Sequence, residues 1–122
     1  MPNLTINGNT VEVEQGKRLV LAIEESGVNI GHRCGGNAMC TTCRVVYSDG
    51  EPDTMTRAEH QKLQETALLG KSRLACQIVC DGNMSVDVLM TLENQTAWED
   101  TGPPPEATVT PDTETVPISE FG

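Results

Sequence analysis

The chain has 122 residues, of which 37% are apolar and only 2% aromatic, so one domain with a small aliphatic core is expected. A core of that size leaves a narrow stability margin, and a bound metal or cluster then matters to folding itself. The net charge of −10 argues against nucleic acid, which needs a clustered basic face, and no window approaches the ~18 apolar residues of a membrane span.

The opening stretch "MPNLTINGNTVEVE" has no basic region followed by an apolar run, the mark of a secretory signal. Five cysteines without such a signal point to a reducing compartment, the cytoplasm, where clustered thiols are more often metal ligands than disulfides. "LTING" and "TVEVE" alternate and are joined through Gly8-Asn9, a hairpin signal. In "RLVLAIEESG", Leu19, Ala22 and Ile23 fall at helical spacing, with Gly27 as the stop. A cysteine-rich loop follows, then the short strand "CRVVYSDG", closed by Asp49-Gly50. Thr56 and Glu59 form a capping box that opens a helix predicted to run to about Leu69 and Gly70. "RLACQIV" and "MSVDVLM" read as two more strands, the second alternating cleanly.

This order suggests an α+β domain over residues 1–92, a mixed sheet packed on a helix. After Trp98 the composition changes abruptly. Residues 99–122 hold six acids, no Lys or Arg, and five of the seven prolines; the rest of the chain keeps twelve acids against eight bases, a balance of −4. Residues 93–122 are therefore expected to be an acidic Pro-rich tail, flexible or loosely docked. An inert solubilising extension is the plainer reading of it, and an acidic segment competing for a partner's site is the other.

"CGGNAMCTTC", residues 34–43, sets the chemistry. The spacing is Cys34-x5-Cys40-x2-Cys43, with Cys76 and Cys80 later in the chain. Four thiolates suit zinc or an iron–sulfur cluster. One set is Cys40, Cys43, Cys76 and Cys80, two short pairs as in a structural zinc module. The other is Cys34, Cys40, Cys43 and Cys76. If "LACQIVC" is a strand, Cys76 and Cys80 lie roughly 13 Å apart, too far for one zinc with bonds of about 2.3 Å. A zinc ribbon also leaves the Cys34-Gly35-Gly36 stretch unused. A [2Fe–2S] cluster uses it: backbone N–H groups turned toward the anionic sulfurs stabilise their charge. Gly35 and Gly36 accept the backbone angles that such a wrap needs, and Thr41 and Thr42 add hydroxyl donors.

"GHRCGGNAMCTTCRV", "SRLACQIVC" and "NMSVDV" together resemble the [2Fe–2S] ferredoxin family, a likeness that covers roughly residues 3–90. The Cys-x5-Cys-x2-Cys spacing, with "RLACQ" and "NMSV", is closer to its adrenodoxin-like branch than to the plant-type C-x4-C-x2-C pattern. "CGGNAMCTTC" is also similar to short bacterial and cyanobacterial ferredoxins. The resemblance implies a β-grasp fold and one [2Fe–2S] cluster, with Cys34 and Cys40 on one iron and Cys43 and Cys76 on the other. It further implies one-electron transfer with no substrate bond made or broken. The implied partners are a ferredoxin reductase or other low-potential donor and redox acceptor enzymes. The potential is expected near the roughly −400 mV of plant-type ferredoxins. A Rieske centre needs two histidine ligands, and neither His32 nor His60 sits in such a motif. A role in iron–sulfur assembly or sensing is a further alternative.

Cys80 is expected to be a buried core thiol. His32, at the edge of the loop, is expected to make a backbone hydrogen bond, and His60 to lie on a helix surface or in packing. Arg33 and Arg44 flank the loop, as cluster-tuning and partner-recognising charges or as solvated ones. Glu51, Asp53, Glu59 and Glu65 are expected either to guide a basic reductase or to form only a solvated face. Trp98 is expected to pin the start of the tail.

Overall fold

The computed structural model describes residues 2–32, 42–92, 109 and 114–121. Strands β1 (Asn3–Ile6) and β2 (Asn9–Glu12) pair antiparallel, from Asn3 opposite Glu12 to Ile6 opposite Asn9. The turn between them is Asn7-Gly8, with φ of 51° and 89°. Two successive positive angles make the two-residue turn whose twist matches paired strands. The turn lies one residue earlier than the Gly8-Asn9 expected from sequence, because Asn9 is already in the ladder. The Asn7 side chain also ties the hairpin to a later strand, since its Oδ1 accepts the Val88 N–H at 2.9 Å.

Strand β3 (Lys17–Arg18) leads directly into α1 (Leu19–Glu25). Leu19, Val20, Ala22 and Ile23 are the buried side of this helix, the stripe that its apolar spacing predicts. Next come β4 (Arg44–Asp49), β5 (Thr54–Thr56) and α2 (Arg57–Glu65). After them follow β6 (Arg73–Leu74), a 3₁₀ turn (Ala75–Gln77), β7 (Val79–Cys80) and β8 (Met84–Val88). Near the C-terminus lie β9 (Thr115–Pro117) and a second 3₁₀ turn (Ile118–Phe121).

The main sheet has five strands in the order β2-β1-β8-β4-β6. It is mixed, since β1 runs parallel to β8 while β4 pairs antiparallel with β8 and β6. Along β8, Met84, Val86 and Val88 are buried and the residues between them are not, the period of two that a half-buried strand requires. These three join Leu4, Ile6 and Val45 of the sheet and the buried stripe of α1 in one aliphatic core. A mixed sheet closed over a helix in this way is the β-grasp arrangement. At the end of β4, Gly50 holds φ at 75° and a Cβ there would run into the carbonyl oxygen of Asn83, so the turn at Asp49-Gly50 admits no larger residue.

Two expected elements differ. Helix α2 stops at Glu65 rather than near Leu69. The Ala67 N–H donates to the Gln64 carbonyl at 3.3 Å and the Leu68 N–H to the Leu63 carbonyl at 2.8 Å, the paired bonds of a Schellman stop. Alanine occupies the left-handed position, with φ of 59°, so the first glycine downstream was a misleading marker. "RLACQIV" is not one strand either. Leu74 N–H donates to the Glu59 carboxylate at 2.9 Å and the Cys76 carbonyl accepts from Arg18 Nε at 2.7 Å. Side chains thus take partners that a continuous ladder would use. The chain turns at Ala75–Gln77 and continues in a separate two-stranded sheet of β3 and β7.

Of the segment expected as a tail, residues 109 and 114–121 are described. β9 pairs antiparallel with β5, setting Thr54 opposite Pro117 and Thr56 opposite Thr115. Val116 is buried, Ile118 N–H donates to the Asp53 carbonyl at 2.8 Å, and Arg57 Nε meets Glu114 Oε2 at 3.0 Å.

Because Ala67 is exposed and left-handed, Ala67→Gly removes strain without removing packing. The expected gain is up to about 1 kcal/mol, read as a rise of a few degrees in Tm.

Candidate metal centre

Cys43 immediately precedes β4, and Cys76 is the middle residue of the 3₁₀ turn that follows β6. The β4–β6 register sets Arg44 opposite Leu74, which brings both cysteines to the same end of the sheet. Ala75 N–H donates to the Cys43 carbonyl at 3.1 Å, and Cys76 N–H reaches Cys43 Sγ at 3.5 Å. Gln77 Nε2 reaches Cys76 Sγ at 3.6 Å. Both thiols are buried, at 2% and 0% exposure. N–H donors aimed at a sulfur favour its thiolate form, the form that binds a metal or cluster. The donor set therefore fits an anionic cluster.

The turn that carries Cys76 is held by charges that local sequence pattern hides. Glu59 was expected, with Glu51, Asp53 and Glu65, to guide a basic reductase or to form only a solvated face. It is instead fully buried, at 0% exposure. Its backbone N–H does meet Thr56 Oγ1 at 3.1 Å, the expected cap. Its carboxylate turns inward, to Arg73 Nε at 2.7 Å and Arg73 Nη2 at 3.0 Å. This is the bidentate fork that makes arginine a fitting buried partner. Arg73 also donates to the carbonyls of Pro52 and Thr54 at 3.0 and 2.9 Å, and to Glu51 at 3.3 Å. Burial pulls the Arg73 pKa down, but the carboxylates of Glu59 and Glu51 outweigh it and hold the group above its ordinary value. Arg18, 1% exposed, holds the Cys76 carbonyl. Nothing in the local pattern around Arg18 or Arg73 marks a buried cation; a glutamate at a cap whose carboxylate finds an arginine far along the chain is legible only in three dimensions.

Of the other residues singled out from sequence, Thr42 is buried and Arg44 half-buried at the start of β4. Arg33, Cys34, Gly35, Gly36, Cys40, Thr41 and Trp98 lie outside the described residues. His32 is buried, and its Nε2 meets Glu24 Oε1 at 2.7 Å. His60 is half-buried on α2.

Cys80 sits in β7 opposite Lys17 of β3, 1% exposed. Burial and the neighbouring Asp81 push its thiol up to about 11, against a smaller opposing effect of Lys17, so it is a protonated thiol at neutral pH. The zinc arrangement needs Cys43, Cys76 and Cys80 at one point. Among the described residues, no three His, Cys, Asp or Glu side chains converge to hold a metal. Cys76 lies in the 3₁₀ turn after β6 and Cys80 in β7, a strand of a different sheet.

The sequence model of the 2Fe-2S iron-sulfur cluster binding domain matches residues 4–81. One component of the Na(+)-translocating NADH-quinone reductase of Chlamydia pneumoniae is 36% identical over 103 residues, covering 80% of this chain and 23% of that protein. The 2Fe-2S ferredoxin of Haemophilus influenzae is 33% identical over 75 residues, 59% of this chain and 66% of the relative. Among solved structures, the ISC-like [2Fe-2S] ferredoxin of Pseudomonas putida superposes with a TM-score of 0.60 at 26% identity, over 73% of this chain and 93% of that one. The chain belongs to the 2Fe-2S iron-sulfur cluster binding domain family, and its cofactor is a [2Fe–2S] cluster. It spans less than a quarter, 23%, of the reductase component that it matches. Among the described residues, no helix is long and apolar enough to cross a membrane.

Glu59→Ala takes the buried carboxylate from the Arg73 guanidinium, which keeps Glu51, and from the Leu74 N–H. The expected cost is about 3–5 kcal/mol, measured by denaturant unfolding of the cluster-loaded chain. Cys80 generates a pH dependence of opposite origin. The unfolded thiol ionises near 9.0 and the folded one near 11, so above pH 9 the folded state binds more protons. Its contribution to stability is complete below pH 9 and is lost as pH rises toward 11. Cys80→Ala is expected to flatten the decline in unfolding midpoint between pH 9 and 10.

Proposed function

We propose that the protein carries single electrons on a [2Fe–2S] cluster held by Cys34, Cys40, Cys43 and Cys76, without making or breaking substrate bonds. The observation that carries this reading is the Cys76 N–H on Cys43 Sγ at 3.5 Å. It brings the backbone of the Cys76 turn onto the Cys43 sulfur, with both thiols buried, while the two remaining cysteines of the set lie within ten residues before Cys43. Gly35, Gly36, Thr41 and Thr42 support the loop around those sulfurs, and Arg33 and Arg44 flank it. Residues 1–92 act as the cluster domain, with 93–122 as an acidic appendage. Transfer takes place through small transient contacts steered by charge. The donor is a ferredoxin reductase or other low-potential donor in the cytoplasm, and the acceptors are redox enzymes.

A second reading rests on the 36% identity to a component of a larger reductase, of which this chain matches 23%. In it the protein serves as the electron-carrying part of an assembly rather than as a diffusing carrier. The two are separated by the concentration dependence of turnover: a diffusing carrier shows a rate rising with its own concentration and then saturating, and a fixed component shows activity at one copy per complex. A role in cluster assembly would instead show as transfer of the cluster itself, with loss of the visible bands from this chain.

Replacing Cys34, Cys40, Cys43 or Cys76 singly by Ser is expected to abolish the visible charge-transfer bands of the purified protein, whereas Cys80→Ser retains them. Bands that survive Cys34→Ser and vanish with Cys80→Ser would reverse the ligand assignment.

A further inference from the structure

A chain of hydrogen bonds ends on one of the two described cluster sulfurs, and each of its members has a fixed role. The Glu59 N–H in the first turn of α2 donates to Thr56 Oγ1 at 3.1 Å, so that oxygen is already an acceptor. The Thr56 hydroxyl is left to donate, and it meets Gln77 Oε1 at 2.7 Å. With its carbonyl oxygen occupied, the Gln77 amide presents Nε2 to Cys76 Sγ at 3.6 Å. The Thr56 hydroxyl thus holds the amide in the orientation that turns Nε2 toward the sulfur. All four residues are buried, at 5% (Thr56), 0% (Glu59), 0% (Cys76) and 4% (Gln77) exposure. The Thr56 end lies at the N-terminus of a nine-residue helix, whose backbone dipoles have the same sense as the chain.

We infer that Gln77 sets the reduction potential of the cluster, and that Thr56 is the positioning residue that turns its amide toward the Cys76 sulfur. This deepens the electron-carrier reading and rests on it. Reduction adds one negative charge to the cluster and its thiolates. An N–H held on a ligand sulfur in a buried site stabilises the more negative state more than the less negative one. The Gln77 amide thus favours the reduced form and raises the potential. A side-chain donor differs from a backbone donor in that one substitution removes it while the turn keeps its own hydrogen bonds.

The test is a redox titration of the full chain loaded with its cluster, monitored by the visible bands, with electron paramagnetic resonance of the reduced form as a second readout. Gln77→Met keeps length and removes the donor. The expected result is a threefold to tenfold fall in the equilibrium constant for reduction, the larger value being about 59 mV for one electron. Thr56→Val, which leaves the amide unaligned, is expected to lower the potential by a smaller amount, and Thr56→Ser to restore it. Gln77→Met with Thr56→Val together should fall no further than Gln77→Met alone. A Gln77→Met protein with intact bands and an unchanged potential overturns the inference. Should that variant fail to load, equal potentials in the Thr56→Val and Thr56→Ser proteins overturn it equally. A wild-type chain without cluster bands is a different failure, that of the electron-carrier reading itself.

Discussion

A glutamate carboxylate buried from water, gripped by the fork of Arg73 and by the Leu74 N–H, is the constraint on which the cysteine end of this molecule depends. A buried charge is tolerable only when its partner is equally fixed, and here the partner is a residue of β6, three positions before Cys76. Glu59 comes from the first turn of α2, and Arg73 reaches on to the carbonyls that lead into β5. One ion pair therefore joins α2, β6 and the approach to β5. The same first turn also holds Thr56, so the cap of the helix and the fastening of the metal-site turn are a single piece of structure.

Patterns with short physical range were legible in the sequence. The alternation of Met84, Val86 and Val88, the stripe of Leu19, Ala22 and Ile23, and the cap at Thr56 depend on neighbours within a few residues. The structure agrees with each of them. The α2 boundary was not, because the left-handed stop is taken by Ala67, a residue whose type gives no hint of that angle. "RLACQIV" has strand-like composition throughout; what breaks it is a pair of side-chain partners, Arg18 and Glu59, that lie 58 and 15 residues away.

The site follows the same division. Cysteine spacing and flanking glycines name the chemistry because metal ligands must be of particular atom types, and the family match agrees with that chemistry. The surroundings of the sulfurs were invisible, since Gln77 and Arg18 carry ordinary side chains whose value lies in what folding brings beside them. Glu59 shows the hazard in the opposite direction: an acid in a helix turn reads as surface until its partner is seen. Cys80 lies in β7, one strand of a two-stranded sheet apart from the one that leads to Cys76, a change of sheet that its strand-like sequence does not reveal.

The pairing of β5 with β9 makes the segment at residues 115–117 a clasp over the element that begins at Thr54. A proteolytic cut within the preceding Pro-rich stretch, or loss of residues 115–122, would bare one edge of β5 and its backbone donors and acceptors. Such an edge is a template for a strand from another molecule, so a trimmed form of this protein would be inclined toward self-association.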